Sequence, residues 1–438
     1  MTRTLVHPKS QPRTLLRGGE GPGFSVVVSN GAYKFHLAPL ASELERSGAL
    51  SRLLTAGYPK GLSASLLKSI PHPGVRRLLA RREDLPDSRV KAFNGVEWLF
   101  KTGDILFAGI RPDWRQLLHV KAFRSYAAQA AKALEDEVYD ILHYRSCFGF
   151  DSVQAAKLTG RLAVCDHSIG HPYATSFMRR HPGASLPARL EPQPLNALEE
   201  CYLRDLAISD HVIVNSDFVR QTFLASGYPS WRVSVAYLGV DDGFLMSSDE
   251  AMRNPIERKG PQHLLFCGGF GQRKGAFTLM QALDAISDSE WTLTLAGGIE
   301  PEAKKEFDSF KQRHPGRVLN LGILSRERLA RLMSVHSLFV FPTEMEGSAR
   351  VVFEALASGC FVVTTRHAGS IVKDGEHGAL TAPGDWEALA SVLLQAAEGR
   401  FDVQGIGESN ALLVRASYRQ RHYGERVMEV YRQLLQRR

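Results

Sequence analysis

The sequence predicts an α/β fold with two doubly wound domains, each a parallel sheet covered by helices. The chain has 438 residues, which is too long for one ordinary hydrophobic core and favours two domains. Short apolar runs alternate along it with segments of helical periodicity, the order in which parallel sheets are built. This alternation stops once, in the polar and irregular segment 239–262, and then begins again. We therefore expect one domain over 24–238, an interdomain connection, and a second domain over 263–412.

The first domain opens with a strand, helix and strand. FSVVVSN (24–30) predicts the first strand, FHLAPLASELERSG (35–48) predicts a helix that a glycine ends, and LSRLLTAGY predicts the second strand. Further strands are predicted at YDILHYRS, RLAVCDHS, HVIVNSD and RVSVAYLGV. Residues 1–23, which precede this domain, are rich in Pro, Gly, Arg and Lys and indicate a flexible basic tail.

The second domain repeats the same order. Strands are predicted at HLLFCGGF (263–270), WTLTLAGG, RVLNLGIL, SLFVFPT and CFVVTT, with helices between them. Segment 413–438 predicts a basic C-terminal helix that crosses back to the first domain through an apolar face containing Val427, Val430, Tyr431 and Leu434. Because such sheets bind ligands at the carboxyl ends of their strands, we expect the two domains to face each other across a cleft.

Composition narrows the class of protein. Hydrophobic residues make up 44% and charged residues 23%, as in soluble globular proteins. No run approaches the ~18 apolar residues of a membrane span, and no signal-peptide core is present, so we expect a cytoplasmic protein. The five cysteines are scattered without CxxC spacing, which predicts buried reduced thiols.

The net charge of +8 favours anionic partners: nucleic acid, an anionic membrane face, or phosphate-bearing small molecules. Basic residues are not interleaved with aromatic ones as in a base-stacking surface, which argues against nucleic acid.

One motif lies in LFVFPTEMEGSARVVFEALASGCFVV (338–363), where a strand leads through a loop into a helix. The small residues Gly347, Ser348 and Ala349 leave the helix N-terminus open, so its N–H groups can approach a phosphate. Glu354, near the second turn, has oxygens suited to ribose hydroxyls, and Glu346 can reach further toward a sugar. The alternative is that both glutamates are ordinary solvated surface residues.

A second motif is the glycine loop FCGGFGQRKG (266–275). Its glycines, Gly269 among them, let the backbone approach a ligand, and Arg273 and Lys274 are cations suited to a diphosphate. The loop matches neither the dinucleotide fingerprint nor the P-loop. Solvated surface charges are the alternative for both cations.

The first domain offers further candidates. His171, in CDHSIGHPY, follows a strand and is a candidate contact for a bound sugar, with a structural role as the alternative. The loop SNGAYKFH (29–36) can approach a ligand phosphate through the backbone around Gly31. The basic run LLKSIPHPGVRRLLARR (66–82) contains no acidic residue, so it indicates contact with an anionic membrane surface or an acidic acceptor, or a solvated basic face.

These motifs resemble those of a known family. Glu346 and Glu354, with seven residues between them, resemble the EX7E motif of the retaining GT-B glycosyltransferases of family 4, and FCGGFGQRKG resembles that family's donor-diphosphate loop. The resemblance implies that Lys274 binds the diphosphate, Glu354 the ribose and Glu346 the transferred sugar. It also implies that Ser348 and Ala349 offer backbone N–H groups to the phosphates.

The sequence departs from the family pattern at two positions. Gly269 lies where the family commonly has an arginine nearby, a charge that Arg273 would supply here. Ser370, in RHAGSIVKDGEHG, occupies the place of a frequent glutamate.

We therefore expect a retaining glycosyltransferase with the GT-B fold. It would move a sugar from a nucleotide diphosphate sugar to a glycan, lipid-linked or small-molecule acceptor, in cell-surface polysaccharide or glycoconjugate synthesis. No DxD-type carboxylate pair ends a strand, since GVDDG (239–243) lies in the connection, so we expect transfer without a metal or another cofactor. The alternatives are a non-catalytic sugar-nucleotide-binding protein of the same shape and an NAD-dependent enzyme, for which the glycine fingerprint is missing.

Overall fold

A computed structural model describes residues 22–70, 73–107, 112–253 and 258–438. Its N-terminal half contains a seven-stranded parallel sheet in the order β3-β2-β1-β4-β5-β6-β7. These strands are β1 Val26–Gly31, β2 Leu50–Thr55, β3 Val90–Ala92, β4 Ile141–Arg145, β5 Leu162–His167, β6 His211–Val214 and β7 Val233–Val235. All six residues of β1 are buried because helices cover both faces of the sheet.

The C-terminal half contains a six-stranded parallel sheet in the order β10-β9-β8-β11-β12-β13. Its strands are β8 Lys259–Cys267, β9 Thr292–Ala296, β10 Val318–Asn320, β11 His336–Phe341, β12 Phe361–Thr365 and β13 Gly378–Thr381. The predicted α/β architecture of two doubly wound domains is therefore confirmed.

Helices flank both sheets. Those of the first domain are α1 Leu37–Arg46, α2 Gly61–Lys68, α3 Pro73–Leu79, α4 Asn94–Phe107, α5 Pro112–Leu134, α6 Phe150–Leu158, α7 Pro172–Arg180, α8 Ala197–Ile208 and α9 Asp217–Ala225. The remaining helices are α10 Asp242–Arg253, α11 Ala276–Ala285, α12 Lys304–Arg313, α13 Arg326–Ser334, α14 Arg350–Ala357, α15 Trp386–Ala397, α16 Val403–Ser417 and α17 Gln420–Gln436. In the described ranges, no helix is long and apolar enough to cross a membrane.

The C-terminal helix crosses back to the first domain, as predicted. Tyr423, Val427 and Tyr431 of α17 are buried in one apolar cluster with residues of β1 and α1. The predicted single helix over 413–438 is wrong, however, because α16 ends at Ser417 and α17 begins at Gln420. The chain turns where the backbone N–H of Val240 donates to the Tyr418 carbonyl at 2.8 Å.

The connection over 239–262 is more regular than predicted. It contains helix α10, and strand β8 already begins at Lys259. Asp241 starts the helix by accepting a hydrogen bond from the Phe244 N–H at 2.9 Å, while Phe244 and Leu245 are buried in the second-domain core. Because polar residues surround this short apolar pair, the sequence of the segment shows no clear helical periodicity.

Two other predictions concern the tail and the cysteines. The predicted basic tail lies almost wholly outside the described residues. All five cysteines are buried and unpaired, as predicted.

Candidate active site at the domain interface

The two sequence motifs lie side by side at the carboxyl edge of the second sheet. The loop after β8 ends in the turn Gln272–Lys274, and the loop after β11 leads into α14. Gly275, with φ of 79°, lies where the two loops meet. A side chain at this position would overlap the carbonyl oxygen of Pro342, so glycine allows the loops to approach each other closely. The fold therefore places Lys274 beside the Glu346 loop.

Glu346 makes ion pairs with both cations of the glycine loop. Its Oε1 pairs with Lys274 Nζ and lies 2.5 Å from a terminal nitrogen of Arg273. Lys274 and Glu346 are largely buried, with 20% and 13% of their side chains exposed, while Arg273 is 57% exposed. Burial lowers the pKa of Lys274, and Glu346 opposes that shift. A bound phosphate would therefore compete with Glu346 for these cations.

Glu354 lies on the buried side of α14. Its Oε1 accepts a hydrogen bond from Arg326 at 2.9 Å, and Arg326 also pairs with Asp241 of the connection. Burial raises the pKa of Glu354 and the arginine opposes the shift. The sequence analysis did not identify Arg326 and Asp241 as site residues. The available signal was that Arg326 is the first residue of the helix after β10, at the sheet edge where ligands bind.

The N-terminus of α14 is only partly open. The N–H of Ala349 donates to the Ala368 carbonyl at 2.9 Å. Its predicted contact with a phosphate would compete with this hydrogen bond and stays a prediction. In the described part of the chain, the N–H groups of Ser348, Arg350 and Val351 have no protein acceptor. The hydroxyl of Ser348 is also buried, with no hydrogen-bond partner among the described residues. An anion at this helix end would meet these donors.

The loop that contains Glu346 also contacts the first domain. A side chain at Gly347 would overlap the carbonyl oxygen of Ser168, and the Ser216 hydroxyl donates to the Gly347 carbonyl at 2.5 Å. Met345 packs against an apolar cluster of the first domain. Glycine at this position thus allows the two domains to touch beside the candidate site. The sequence analysis did not identify Ser168 and Ser216 as contacts between the domains. The only signal for them is that each follows a strand of the first sheet.

The two departures from the family pattern have different surroundings. A side chain at Gly269 would overlap the carboxylate of Glu300, so an acidic group lies there instead of an arginine. Ser370 lines a groove of about 410 Å³ between the domains, together with the cations Arg220, Arg366 and Lys373.

His171 has a structural explanation. It precedes α7, where its Nδ1 accepts a hydrogen bond from the Tyr173 N–H at 3.3 Å, and its ring packs against Phe223 at 5.1 Å. Burial, together with His167, lowers the pKa of His171 to about 3, so the ring is neutral at neutral pH. These contacts hold His171 inside the first domain. Its contact with a sugar or an acceptor stays a prediction.

Gly31 is also fully used by the fold. Its N–H donates to the Tyr126 hydroxyl at 3.2 Å, and its carbonyl accepts from the Ala56 N–H at 2.8 Å. A Cβ at Gly31, where φ is 76°, would lie 2.7 Å from the Phe148 ring. The packing explains why this position is a glycine. The phosphate contact through the backbone around Gly31 stays a prediction.

The basic run 66–82 is partly neutralised by residues outside it. Arg81 forms a largely buried pair with Glu97 at 2.9 Å, and Arg82 pairs with Asp87 at 3.2 Å. Arg76 is exposed. The side chains of Lys68 and Arg77 lie outside the described residues.

Comparisons with known proteins agree on the fold. The chain covers all of Anabaena HepE, a structure solved with UDP, over 93% of its own length, with a TM-score of 0.61 and 16% identity. Two parallel sheets that face each other and a returning C-terminal helix define the GT-B class.

Family models and curated relatives extend this result. The model described as Glycosyltransferase Family 4 matches residues 35–244, and that described as Glycosyl transferases group 1 matches residues 261–398. The chain belongs to these GT-B glycosyltransferases.

It is 23% identical over 215 residues to the amylovoran biosynthesis glycosyltransferase AmsK of Erwinia amylovora, covering 46% of this chain and 51% of AmsK. It is 26% identical over 205 residues to the capsular polysaccharide biosynthesis glycosyltransferase CapM of Staphylococcus aureus, covering 43% and 51%. The chain thus spans about half the length of these curated relatives.

Proposed function

We propose that this glycosyltransferase moves a sugar, with retention of its anomeric configuration, from a nucleotide diphosphate sugar to a glycan, lipid-linked or small-molecule acceptor. The observation that carries the proposal is the meeting of Lys274, Arg273 and Glu346 in front of α14. HepE was solved with UDP, which favours a nucleotide donor, and the name of CapM favours a role in cell-surface polysaccharide synthesis.

The chemical difficulty is a leaving diphosphate that gains negative charge while the sugar gains oxocarbenium character. Lys274 and the free N–H groups at the start of α14 would stabilise that charge without a metal ion, because their positions are fixed before the reaction. Phosphate would replace Glu346 at Lys274 and release that carboxylate toward the sugar. Retention would follow from same-face attack by the acceptor, the step usually pictured for the family that the EX7E motif resembles.

Glu354 is expected to bind the ribose. Replacing it with alanine removes the acceptors for the ribose hydroxyls, so we expect affinity for the nucleoside diphosphate to fall by about tenfold or more. Calorimetry with UDP, GDP and ADP measures this change, with folding checked by thermal denaturation. Glu387→Ala, in the first turn of α15, is the control and should leave affinity unchanged. Unchanged affinity in a folded Glu354→Ala protein would remove Glu354 from the nucleotide site.

A non-catalytic nucleotide-sugar-binding protein is the alternative. It would bind the same donors through Glu354 and Lys274 but form no product. Incubation of radiolabelled UDP-, GDP- and ADP-sugars with an extract of lipid-linked and glycan acceptors separates the two functions. Transfer of label to an acceptor supports the enzyme, while tight donor binding without transfer supports the alternative.

We further propose that the first domain contacts the cytoplasmic face of an anionic membrane. Leu66 of α2 is 72% exposed and Trp98 of α4 is 68% exposed. Trp98 lines a cavity of about 200 Å³ together with Lys101 and with Leu67 of the basic run. Exposed apolar and cationic side chains together suit an anionic lipid surface.

The membrane proposal is tested with vesicles. We expect sedimentation with phosphatidylglycerol vesicles, release by high salt, and weaker sedimentation of Leu66→Glu. Leu158→Glu is the control, because Leu158 is 88% exposed at the end of α6 and is not part of the basic run. Equal sedimentation of the parent and both variants, or none by the parent, would contradict the proposal.

A further inference from the structure

Three charged side chains from three separate segments meet at the proposed ribose site. Arg326 is the first residue of α13, Glu354 lies on α14, and Asp241 precedes α10 in the connection between the domains. The terminal nitrogen of Arg326 lies 2.9 Å from Glu354 Oε1 and also pairs with Asp241 Oδ2. The arginine thus links the buried glutamate to the interdomain connection.

Glu354 needs a compensating cation because its carboxylate is buried. A buried carboxylate without a partner favours the neutral acid, which offers fewer acceptors. The charged and titratable groups that face it are Arg326 of α13, Arg350 of its own helix, Asp241 of the connection and the thiol of Cys267 on β8. Within the described ranges, Arg326 is the side chain that donates a hydrogen bond to Glu354. Its charge is therefore the one best placed to keep the carboxylate ionised.

The contact with Arg326 leaves acceptor positions of Glu354 for ribose hydroxyls. A carboxylate offers about four acceptor positions on its two oxygens, and the arginine occupies one of them on Oε1. Two ribose hydroxyls can therefore donate to Glu354 while Arg326 stays in place.

Arg326 is itself held from two sides. Asp241 has a fixed orientation, because its Oδ1 accepts from the Phe244 N–H at 2.9 Å while its Oδ2 faces the arginine. The guanidinium carbon of Arg326 lies 5.5 Å from the centre of the Phe244 ring. The orientation of Glu354 is therefore anchored in a segment that belongs to neither sheet.

We propose that Arg326 is a positioning residue for the nucleotide: it keeps Glu354 ionised and oriented toward the ribose, and Asp241 anchors it. This inference rests on the proposed function, in which Glu354 binds the ribose. It adds to that function a residue that the EX7E resemblance does not supply, and it makes the nucleotide contact dependent on the interdomain connection.

The test compares how the affinity for a sugar nucleotide depends on pH in the parent and in Arg326→Gln. The probe is whichever of UDP-glucose, GDP-mannose and ADP-glucose binds the parent most tightly, since their diphosphates do not titrate between about pH 5 and about pH 8. Calorimetry at several pH values gives the midpoint at which affinity is lost as Glu354 takes up a proton. Arg328→Gln, an exposed arginine on the same helix, is the matched control.

Removal of a positive neighbour raises the pKa of a carboxyl, so the ionised form disappears at higher pH. We expect the midpoint in Arg326→Gln to lie about one unit or more above that of the parent. Arg326→Lys should restore most of the difference because it keeps the charge, and Arg328→Gln should match the parent.

The outcomes separate this inference from the proposed function. If Glu354→Gln binds the probe as tightly as the parent at about pH 8, or no probe binds the parent, the ribose role fails and this inference fails with it. If Glu354→Gln loses affinity but Arg326→Gln keeps the parental midpoint, only the inference about Arg326 is overturned. If Arg326→Gln does not fold, the test uses Asp241→Asn and Arg326→Lys. A parental midpoint in Asp241→Asn together with a shifted midpoint in Arg326→Lys would overturn the inference about Arg326, because the charge of Arg326 would then not be the cause.

Discussion

Replacing Lys274 with alanine is expected to slow sugar transfer by about two to three orders of magnitude, with excess EDTA present throughout. Lys274 follows the glycine loop, its side chain is largely buried, and it pairs with Glu346. A cation held in this way stabilises a leaving diphosphate strongly, because its position is set before charge develops. The measurement is the initial rate with a labelled donor at saturating acceptor.

Two controls make this result specific. Lys304→Ala removes an exposed lysine that pairs with Asp308 on the surface of the second domain, and it should keep the parental rate. The parent should be equally fast with and without EDTA. Loss of activity in EDTA with rescue by magnesium or manganese, or a Lys274→Ala enzyme as fast as its parent, would show that other groups neutralise the diphosphate.

Glu346→Gln is expected to separate turnover from nucleotide binding. We expect kcat to fall by about a hundredfold, because the carboxylate that would contact the transferred sugar is lost. Affinity for the nucleoside diphosphate should stay equal or become tighter, since Glu346 no longer neutralises Lys274 and Arg273. Steady-state rates and calorimetry on the same preparation measure both quantities.

Glu344→Gln is the matched control for this experiment. Glu344 lies two residues before Glu346, and its carboxylate accepts from the Gln272 amide and not from Lys274. It should change kcat little. A Glu346→Gln enzyme with parental kcat, or one whose main defect is weaker nucleotide binding, would contradict the role given to Glu346.

The sequence predicted most of the fold because parallel strands buried on both faces appear as continuous apolar runs. Such runs cover most of β1 and β11 and the buried second half of β8, residues 264–267. The strands it missed are β3, with three residues, and β13, which lies in a glycine-rich loop. Runs this short carry too little periodicity to be recognised, and the same reason applies to the buried pair Phe244 and Leu245 in α10.

Each motif of the candidate site was predictable because its residues are close in sequence and lie on one loop. Lys274 and Glu346 belong to different motifs, 72 positions apart, but the two loops follow strands of the same sheet and therefore lie beside each other. Arg326 and Asp241 were not predictable, since a single arginine in a polar helix looks like a solvated residue. At His171, Gly31 and Ala349, distant segments accept hydrogen bonds from the backbone N–H groups, and the sequence alone does not reveal these partners.

The most direct test of the central claim is the position of a sugar nucleotide in a crystal structure of this chain. We expect the diphosphate within hydrogen-bond distance of Lys274 Nζ and of the N–H groups at the start of α14, with the ribose hydroxyls on Glu354 and the sugar beside Glu346. A nucleotide bound instead in the groove of Arg220, Arg366 and Lys373, with Lys274 still paired to Glu346, would contradict the site assigned to this glycosyltransferase.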